Sequence, residues 1–139
     1  MRSAILLLAT LLIVIGGYGQ QFDAQEKAKI MSGDTSTMLQ VVQTTVPAEL
    51  KILKSVSTDI DVNDALLPLL AQRMYKAMRD TANPGIGIAA PQVGINKNVI
   101  WVQRFDKADM PFELYLNPKI TWHSKLTRKG KEGCLSIPD

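Results

Sequence analysis

The sequence predicts an α+β fold in which a helix precedes antiparallel strands. Three observations indicate this class. Hydrophobic residues make up 46% and charged residues 21% of the 139 residues, one segment has apolar residues at helical spacing, and later segments alternate with a period of two. A chain of this length forms one domain. The order of helix and then strands favours α+β over a repeated strand–helix–strand unit.

The first segment, residues 1–19, has the layout of a secretory signal peptide. A positive start is followed by an apolar run from Ala4 to Ile15, and Gly17 and Gly19 are small residues suited to cleavage after Gly19. The run is shorter than the roughly 20 apolar residues that span a membrane. We therefore expect an exported protein, periplasmic or secreted, with no stable membrane span after cleavage. The alternative is a membrane anchor formed by an uncleaved N-terminus.

Residues 20–47 are polar and lack a periodic apolar pattern, so we expect a flexible leader with a short helix at 24–31. The folded domain is expected to cover 48–139 and to begin with the charge-rich segment 49–54.

The clearest predicted helix begins after Asn63 or Asp64, either of which can cap it, and ends before Pro84. Pro68 is tolerated because it lies in the first turn. The apolar residues recur at spacings of three and four and are Leu66, Leu67, Leu70, Met74, Ala77 and Met78. The basic residues expected on the outer face are Arg73, Lys76 and Arg79.

Three segments after this helix are predicted to be strands. They cover 98–103, 112–116 and 119–124, and the last two alternate apolar and polar residues, with Ile120 and Trp122 on one side. The following stretch, 125–131, is rich in Lys and Arg and is expected to be a solvated loop.

Composition excludes several kinds of site. The formal net charge is only +3, which does not indicate a nucleic-acid partner. The single cysteine, Cys134, excludes an intramolecular disulfide and a four-cysteine zinc site. The single histidine, His123, excludes a site that needs two imidazoles from this sequence.

The first segment with chemical potential is 85–94, which reads GIGIAAPQVG. It matches G-x-G-x-x-A, but the dinucleotide fingerprint needs a strand before the glycines and a helix after them. Here a helix is predicted before them, and Pro91 and Gly94 oppose a long helix after them. Instead, the glycines allow the backbone to approach a ligand, and the amide of Gln92 can stabilise an oxyanion. A tight turn with a surface glutamine is the simpler alternative.

The second such segment is 132–136, which reads EGCLS. A lone cysteine such as Cys134 is often a buried apolar residue. As a thiolate it could instead bind a metal, or attack as a nucleophile if a base such as His123 lay nearby. The N–H of Leu135 could point into the same cleft.

Together, the two segments resemble the first and second signature motifs of peptide deformylase, in residue type, order and separation. The resemblance covers about 47–139 and includes the Asn117-Pro118 turn. It implies a deformylase-like fold and metal-dependent hydrolysis of the N-formyl group of N-formylmethionyl peptides, with release of formate. The metal implied is Fe²⁺, with Zn²⁺ or Ni²⁺ as other possibilities. This reaction belongs to protein biosynthesis, where formyl groups are removed from chains at the ribosome.

The resemblance also implies roles for individual residues. Cys134 would be a metal ligand, and Gln92 together with the Leu135 N–H would stabilise the oxyanion. Ile86 and Gly87 would line the cleft that binds the peptide. Glu132 would orient its loop through a charged pair.

The sequence departs from the family in the third motif, H-E-x-x-H, which would supply two histidine ligands and the catalytic glutamate. We therefore expect a C-terminally truncated deformylase that is inactive as given. The alternatives are a non-catalytic remnant that binds peptides, a hydrolase with Cys134 as nucleophile, and a nucleic-acid-binding module. The last would use the basic residues of the predicted loop, which are Lys125, Arg128, Lys129 and Lys131.

Overall fold

The computed structural model describes residues 19–138, so the predicted signal peptide lies outside the described residues except for Gly19. Its elements, in chain order, are α1 (Ala24–Ile30), α2 (Pro47–Leu53), α3 (Leu67–Met78), β1 (Gly87–Ala89), a 3-10 helix (Ala90–Val93), β2 (Val99–Gln103) and β3 (Phe112–Leu116). Helices and an antiparallel sheet in one unit agree with the predicted α+β class.

The three strands form an antiparallel sheet in the order β1-β2-β3. Ile88 lies opposite Trp101, and Trp101 lies opposite Leu114, so one face of the sheet is apolar. This face belongs to the core that α3 covers, and the Trp101 indole N–H donates to the Ala71 carbonyl of α3 at 2.8 Å. The strands predicted at 98–103 and 112–116 are thus confirmed within one residue.

The helix α3 has the predicted apolar face, and Leu70, Met74 and Met78 are fully buried. Asp64 precedes the helix, and its carboxylate accepts a hydrogen bond from the Leu66 N–H at 2.9 Å. The helix ends at Met78, some residues before Pro84, because a short turn leads from it to the glycine segment.

Arg73 is the exception to the predicted outer face, since it is only 4% exposed. Its guanidinium donates to the carbonyls of Ile30, at 2.7 Å, and Lys29, at 3.1 Å. It also donates to the carbonyls of Thr37 and Met38. The prediction was wrong because the segment before α2 wraps over this side of α3 and offers carbonyls to the guanidinium.

The segment 20–47 differs from the predicted flexible leader because it packs against the core. Phe22, Ile30, Leu39 and Val42 are all buried. The short helix expected here is present as α1, and Asp23 and Glu26 form its capping box. The apolar residues of this segment are too widely spaced to produce a periodic pattern, so only tertiary packing reveals their role.

The segment 119–124 does not form the predicted strand. Ile120 is 89% and Trp122 is 79% exposed. Alternation produces a strand only beside a partner, and no other part of 19–138 pairs with this segment. Conversely, the short strand β1 was not predicted, because its glycine-rich sequence is unfavourable for a strand.

Candidate active site

The first motif forms a strand that turns directly into a 3-10 helix. Gln92 lies in this helix, and its Oε1 accepts a hydrogen bond from the Ala89 N–H at 2.9 Å. Because this bond fixes one end of the amide, the Nε2 atom is held toward the second motif. Gly94 ends the helix with a φ of 76°, a conformation that favours glycine.

The second motif forms a tight turn, in which the Ile137 N–H donates to the Cys134 carbonyl at 2.9 Å. The thiol of Cys134 is exposed, whereas Ser136 is buried. The Leu135 N–H makes no hydrogen bond to any residue in 19–138, so it can donate to a ligand.

The two motifs face each other across a short gap. Gln92 Nε2 lies 3.7 Å from Cys134 Sγ and 3.4 Å from Ser136 Oγ. A third segment contacts both motifs, because the Val42 N–H donates to the Gln92 carbonyl and the Thr44 N–H donates to the Ser136 carbonyl, each at 2.8 Å. The site therefore combines three separate segments of the chain.

Glycines allow the close packing of the strand against its neighbours. A Cβ at Gly85 would lie 2.9 Å from Leu135 Cδ1, and a Cβ at Gly87 would lie 3.1 Å from the Trp101 carbonyl oxygen. Between them, the Ile86 side chain is 63% exposed. The segment 85–87 is thus packed against the protein on one side, while Ile86 is accessible on the other.

These segments enclose a cleft of about 580 Å³. Its lining includes all five residues to which the sequence analysis gave site roles, which are Ile86, Gly87, Gln92, Cys134 and Leu135. Gln43 also lines it and was missed, because an isolated glutamine in a polar segment carries no sequence signal. His123 is not among the lining residues, and it is exposed.

The donor set is incomplete for a metal ion. No group of three His, Cys, Asp or Glu side chains comes together in 19–138, and Cys134 is the only such ligand in the cleft besides the backbone. Catalytic metal sites usually have three protein ligands. The described residues therefore do not fit a complete metal site, and we derive no step through the ion. Because no histidine lines the described cleft, Cys134 has no imidazole base there.

A larger groove, of about 830 Å³, lies away from the two motifs. Its lining includes Tyr75, Trp101 and Phe112, with the Tyr75 and Trp101 ring centroids 5.1 Å apart in an edge-to-face arrangement. The lining of this groove includes neither Gln92 nor Cys134. The larger of the two cavities is therefore not the one that contains the motifs.

The cleft thus brings together an accessible thiol, a fixed amide donor and an N–H without a partner in 19–138. The family model described as polypeptide deformylase matches residues 38–139. The chain belongs to this family, which is metal-dependent and hydrolytic.

Two curated relatives show the extent of the similarity. The peptide deformylase of Caulobacter sp. (strain K31) is 43% identical over 93 residues, which are 66% of this chain and 53% of the relative. That of Synechocystis sp. (strain ATCC 27184 / PCC 6803 / Kazusa) is 42% identical over 90 residues, which are 64% of this chain and 47% of the relative. The chain thus spans about half the length of these relatives.

Solved structures are similar as well. A class I type b peptide deformylase from Acinetobacter baumannii, with K1U bound, matches with a TM-score of 0.63 and 36% identity, covering 74% of this chain and 66% of that chain. A probable peptide deformylase from synechococcus phage S-SSM7 matches with a TM-score of 0.59 and 36% identity, covering 73% of this chain and 65% of that chain.

The predicted localisation requires correction. The relatives are bacterial peptide deformylases, and this finding contradicts export and N-terminal membrane anchoring. The prediction of an exported or anchored protein is therefore wrong. Among residues 19–138, no helix is both long and apolar enough to cross a membrane.

Proposed function

We propose that this chain forms part of an enzyme that removes the N-formyl group from N-formylmethionyl peptides and releases formate. The observation that carries the proposal is the position of the Gln92 amide, 3.7 Å from the Cys134 thiol in a cleft lined by Ile86 and Gly87. Support for peptide substrates comes from the Acinetobacter baumannii deformylase, which has been solved with Met-Ala-Ser bound and with actinonin bound.

The chain's own residues bind and orient the substrate. The Ile86 carbonyl accepts from the Gln103 N–H at 2.8 Å, so the Gly87 backbone is what we expect to pair with an extended peptide, beside the exposed Ile86 side chain. The Gln92 amide and the Leu135 N–H donate hydrogen bonds to the oxygen that becomes negative when the formyl carbon is attacked. Each fixed donor of this kind typically lowers the barrier by about 3–4 kcal/mol. Glu132 is exposed and forms no ion pair with any residue in 19–138, so the expected charged pair is absent there.

The metal that we propose is Fe²⁺, with Zn²⁺ or Ni²⁺ as other candidates, and Cys134 is proposed as one ligand. An ion held in part by Cys134 would supply Lewis-acid chemistry, polarising the formyl oxygen and lowering the pKa of bound water. Because the described cleft offers one ligand of the usual three, we expect the 139 residues alone to be inactive.

The test begins by reading the coding sequence past the codon for Asp139. If H-E-x-x-H follows in frame, the longer product loaded with Fe²⁺ should release formate from N-formyl-Met-Ala-Ser. The 139-residue chain should not. Gln92→Met should lower kcat by about 100-fold, as loss of one oxyanion donor does, whereas the control Gln40→Met should not. Formate release by the 139-residue chain would contradict the expected inactivity, and no release by the longer product would overturn the function.

A second candidate function is a non-catalytic remnant that binds peptides, which the single metal ligand in the described cleft favours. It requires that the 139-residue chain binds N-formyl-Met-Ala-Ser without turnover and that Cys134→Ala leaves the Kd unchanged. Isothermal titration calorimetry of the longer product loaded with Fe²⁺, and of its Cys134→Ala variant, distinguishes the two functions, because only a metal-assisted site loses metal-dependent affinity in Cys134→Ala.

A further inference from the structure

We propose that Gln43 is a positioning residue. It fixes the backbone peptide bond that joins Leu135 to Ser136, in the turn that faces Gln92. The inference rests on the proposed function, in that the Leu135 N–H matters only if it faces a reacting formyl group. Nothing in the two signature motifs includes Gln43, which lies in the segment before α2.

The side chain of Gln43 is held at both ends. Its Nε2 donates to the Leu135 carbonyl at 3.1 Å and to the Val41 carbonyl at 3.3 Å. Its backbone N–H donates to the carboxylate of Glu49 in α2. Since the backbone is anchored by α2 and both amide protons have acceptors, the amide has one well-defined orientation.

The two residues that flank Gln43 each bind one of the two motifs. Val42 donates to the Gln92 carbonyl and Thr44 donates to the Ser136 carbonyl. The two direct contacts between the motifs are weaker, because the Gln92 amide lies 3.7 Å from the Cys134 sulfur and 3.4 Å from the Ser136 hydroxyl oxygen, both long for hydrogen bonds. The spacing between Gln92 and the turn is therefore set mainly by the segment 42–44.

The Leu135 N–H shares its peptide plane with the Cys134 carbonyl, and the segment 42–44 fixes the two peptide planes that follow it. Gln43 and Thr44 hold the carbonyls of Leu135 and Ser136, and the Ile137 N–H holds the carbonyl of Cys134. With three consecutive carbonyls engaged, the peptide planes of the turn cannot rotate without breaking a hydrogen bond. Gln43 supplies the only one of these bonds that comes from a side chain, so it can be removed by substitution.

The experiment compares Gln43→Met with Gln40→Met in the 139-residue chain. Methionine has nearly the shape of glutamine but no amide donor, and Gln40 is exposed and makes no side-chain hydrogen bond within 19–138. Amide hydrogen exchange of Ile137 and Thr44 and the carbonyl ¹³C shift of Leu135 are measured by NMR. N-formyl-Met-Ala-Ser is then titrated while the Leu135 amide proton is followed.

In Gln43→Met, we expect the Ile137 and Thr44 amides to exchange about three- to tenfold faster than in Gln40→Met, the range for losing one hydrogen bond. The Leu135 carbonyl shift should change, and the Kd for the peptide should rise by a similar factor. Exchange and affinity equal to those of the Gln40→Met control would overturn the positioning role.

Failure of the proposed function has a different signature. In that case, N-formyl-Met-Ala-Ser does not move the Leu135 amide resonance even in the unsubstituted chain. The exchange rates and the carbonyl shift then decide alone whether Gln43 holds the turn. Faster exchange with no change in peptide affinity would show a purely structural contact and would also overturn the proposal.

Discussion

Single residues decide whether the two motifs can meet. Gly94 ends the 3-10 helix that carries Gln92, and a Cβ there would lie 2.2 Å from the Lys29 ammonium. Burial lowers the pKa of Lys29, while nearby Glu49 opposes this shift. The end of the 3-10 helix that carries Gln92 thus lies against Lys29 of α1. The chain can turn at Gly94 only because this residue has no side chain.

We expect Gly94→Ala to lower the free energy of unfolding by about 1–2 kcal/mol, because a left-handed φ is unfavourable for alanine. The Lys29 side chain must also move aside. Urea denaturation of the variant gives the measurement.

Gly130→Ala is the matched control, because a Cβ at Gly130 meets nothing within 4 Å. It should change stability by less than about 0.5 kcal/mol. Equal stability of the two variants would show that Gly94 does not require its conformation.

The residue scale also shows what the sequence could predict. Gln92, Cys134 and Leu135 can be proposed as site residues from the sequence because each lies in a contiguous motif whose residue types suit one chemistry. Gln43 reaches the cleft through a contact separated by 92 positions in the chain. Such contacts leave no local pattern, so they become visible only in the folded protein.

At the scale of elements, a buried guanidinium joins the N-terminal segment to α3. Arg73 donates to carbonyls at the end of α1 and in the segment that follows it, at Thr37 and Met38, with Ile30 as its shortest contact at 2.7 Å. The periodic pattern correctly predicted the apolar face of α3. It also placed all three basic side chains of this segment on the outer face, which is wrong for Arg73. A cation surrounded by carbonyls has no distinct spacing in sequence.

We expect Arg73→Lys to lower the free energy of unfolding by about 2–4 kcal/mol, because an ammonium cannot reach several carbonyls at once and leaves some of them unsatisfied. Thermal and urea unfolding check this value. Lys76→Arg, an exchange of one cation for another at an exposed position of the same helix, should cost less than about 0.5 kcal/mol. A similar loss of unfolding free energy in both variants would contradict the role of the buried Arg73 guanidinium.

The hairpin between β2 and β3 carries a charged cluster that responds to pH. The hydrogen bond from Arg104 lowers the pKa of Asp106 to about 2, and Lys107 and Tyr115 lower the pKa of Glu113. Because both carboxyls have a lowered pKa in the folded state, their contribution is present above the ordinary pKa range. It is lost as the pH falls from about 4 toward 2.

We expect Arg104→Met to raise the pKa of Asp106 toward its ordinary value of 3.8. Carboxyl ¹³C titration by NMR measures this shift directly. Lys125→Met, in the exposed stretch beyond β3, should leave the Asp106 titration unchanged. If Asp106 still titrates near pH 2 in Arg104→Met, the hydrogen bond with Arg104 is not the cause.

At the scale of the whole molecule, the chain divides into a packed part and an exposed stretch. Residues 118–133 are all exposed and make no backbone–backbone hydrogen bonds to any part of 19–138. The sequence predicted a solvated loop at 125–131, which agrees with this exposure, but also a strand at 119–124. That strand needs a partner, and sequence alternation alone cannot show whether one is present.

Brief trypsin digestion should therefore cut within 118–133 before it cuts elsewhere in 19–138, because proteolysis favours exposed backbone that opens readily. Mass spectrometry of the products checks this. Cleavage beside the buried Arg73 or Lys97 should come later. Early cuts at those two positions would contradict the packing of α3 and of the segment before β2.

The exposed stretch has a consequence for how the cleft is assembled. The turn at 134–137 is connected to the packed part of the protein through the exposed stretch 118–133. This stretch acts as a tether, so the turn behaves like a ligand held at an effective concentration in the millimolar range. Hydrogen bonds too weak to capture a separate peptide are then sufficient to dock this one. The docked fraction depends on the length of the tether, and a longer tether dilutes the turn roughly as the −3/2 power of its length.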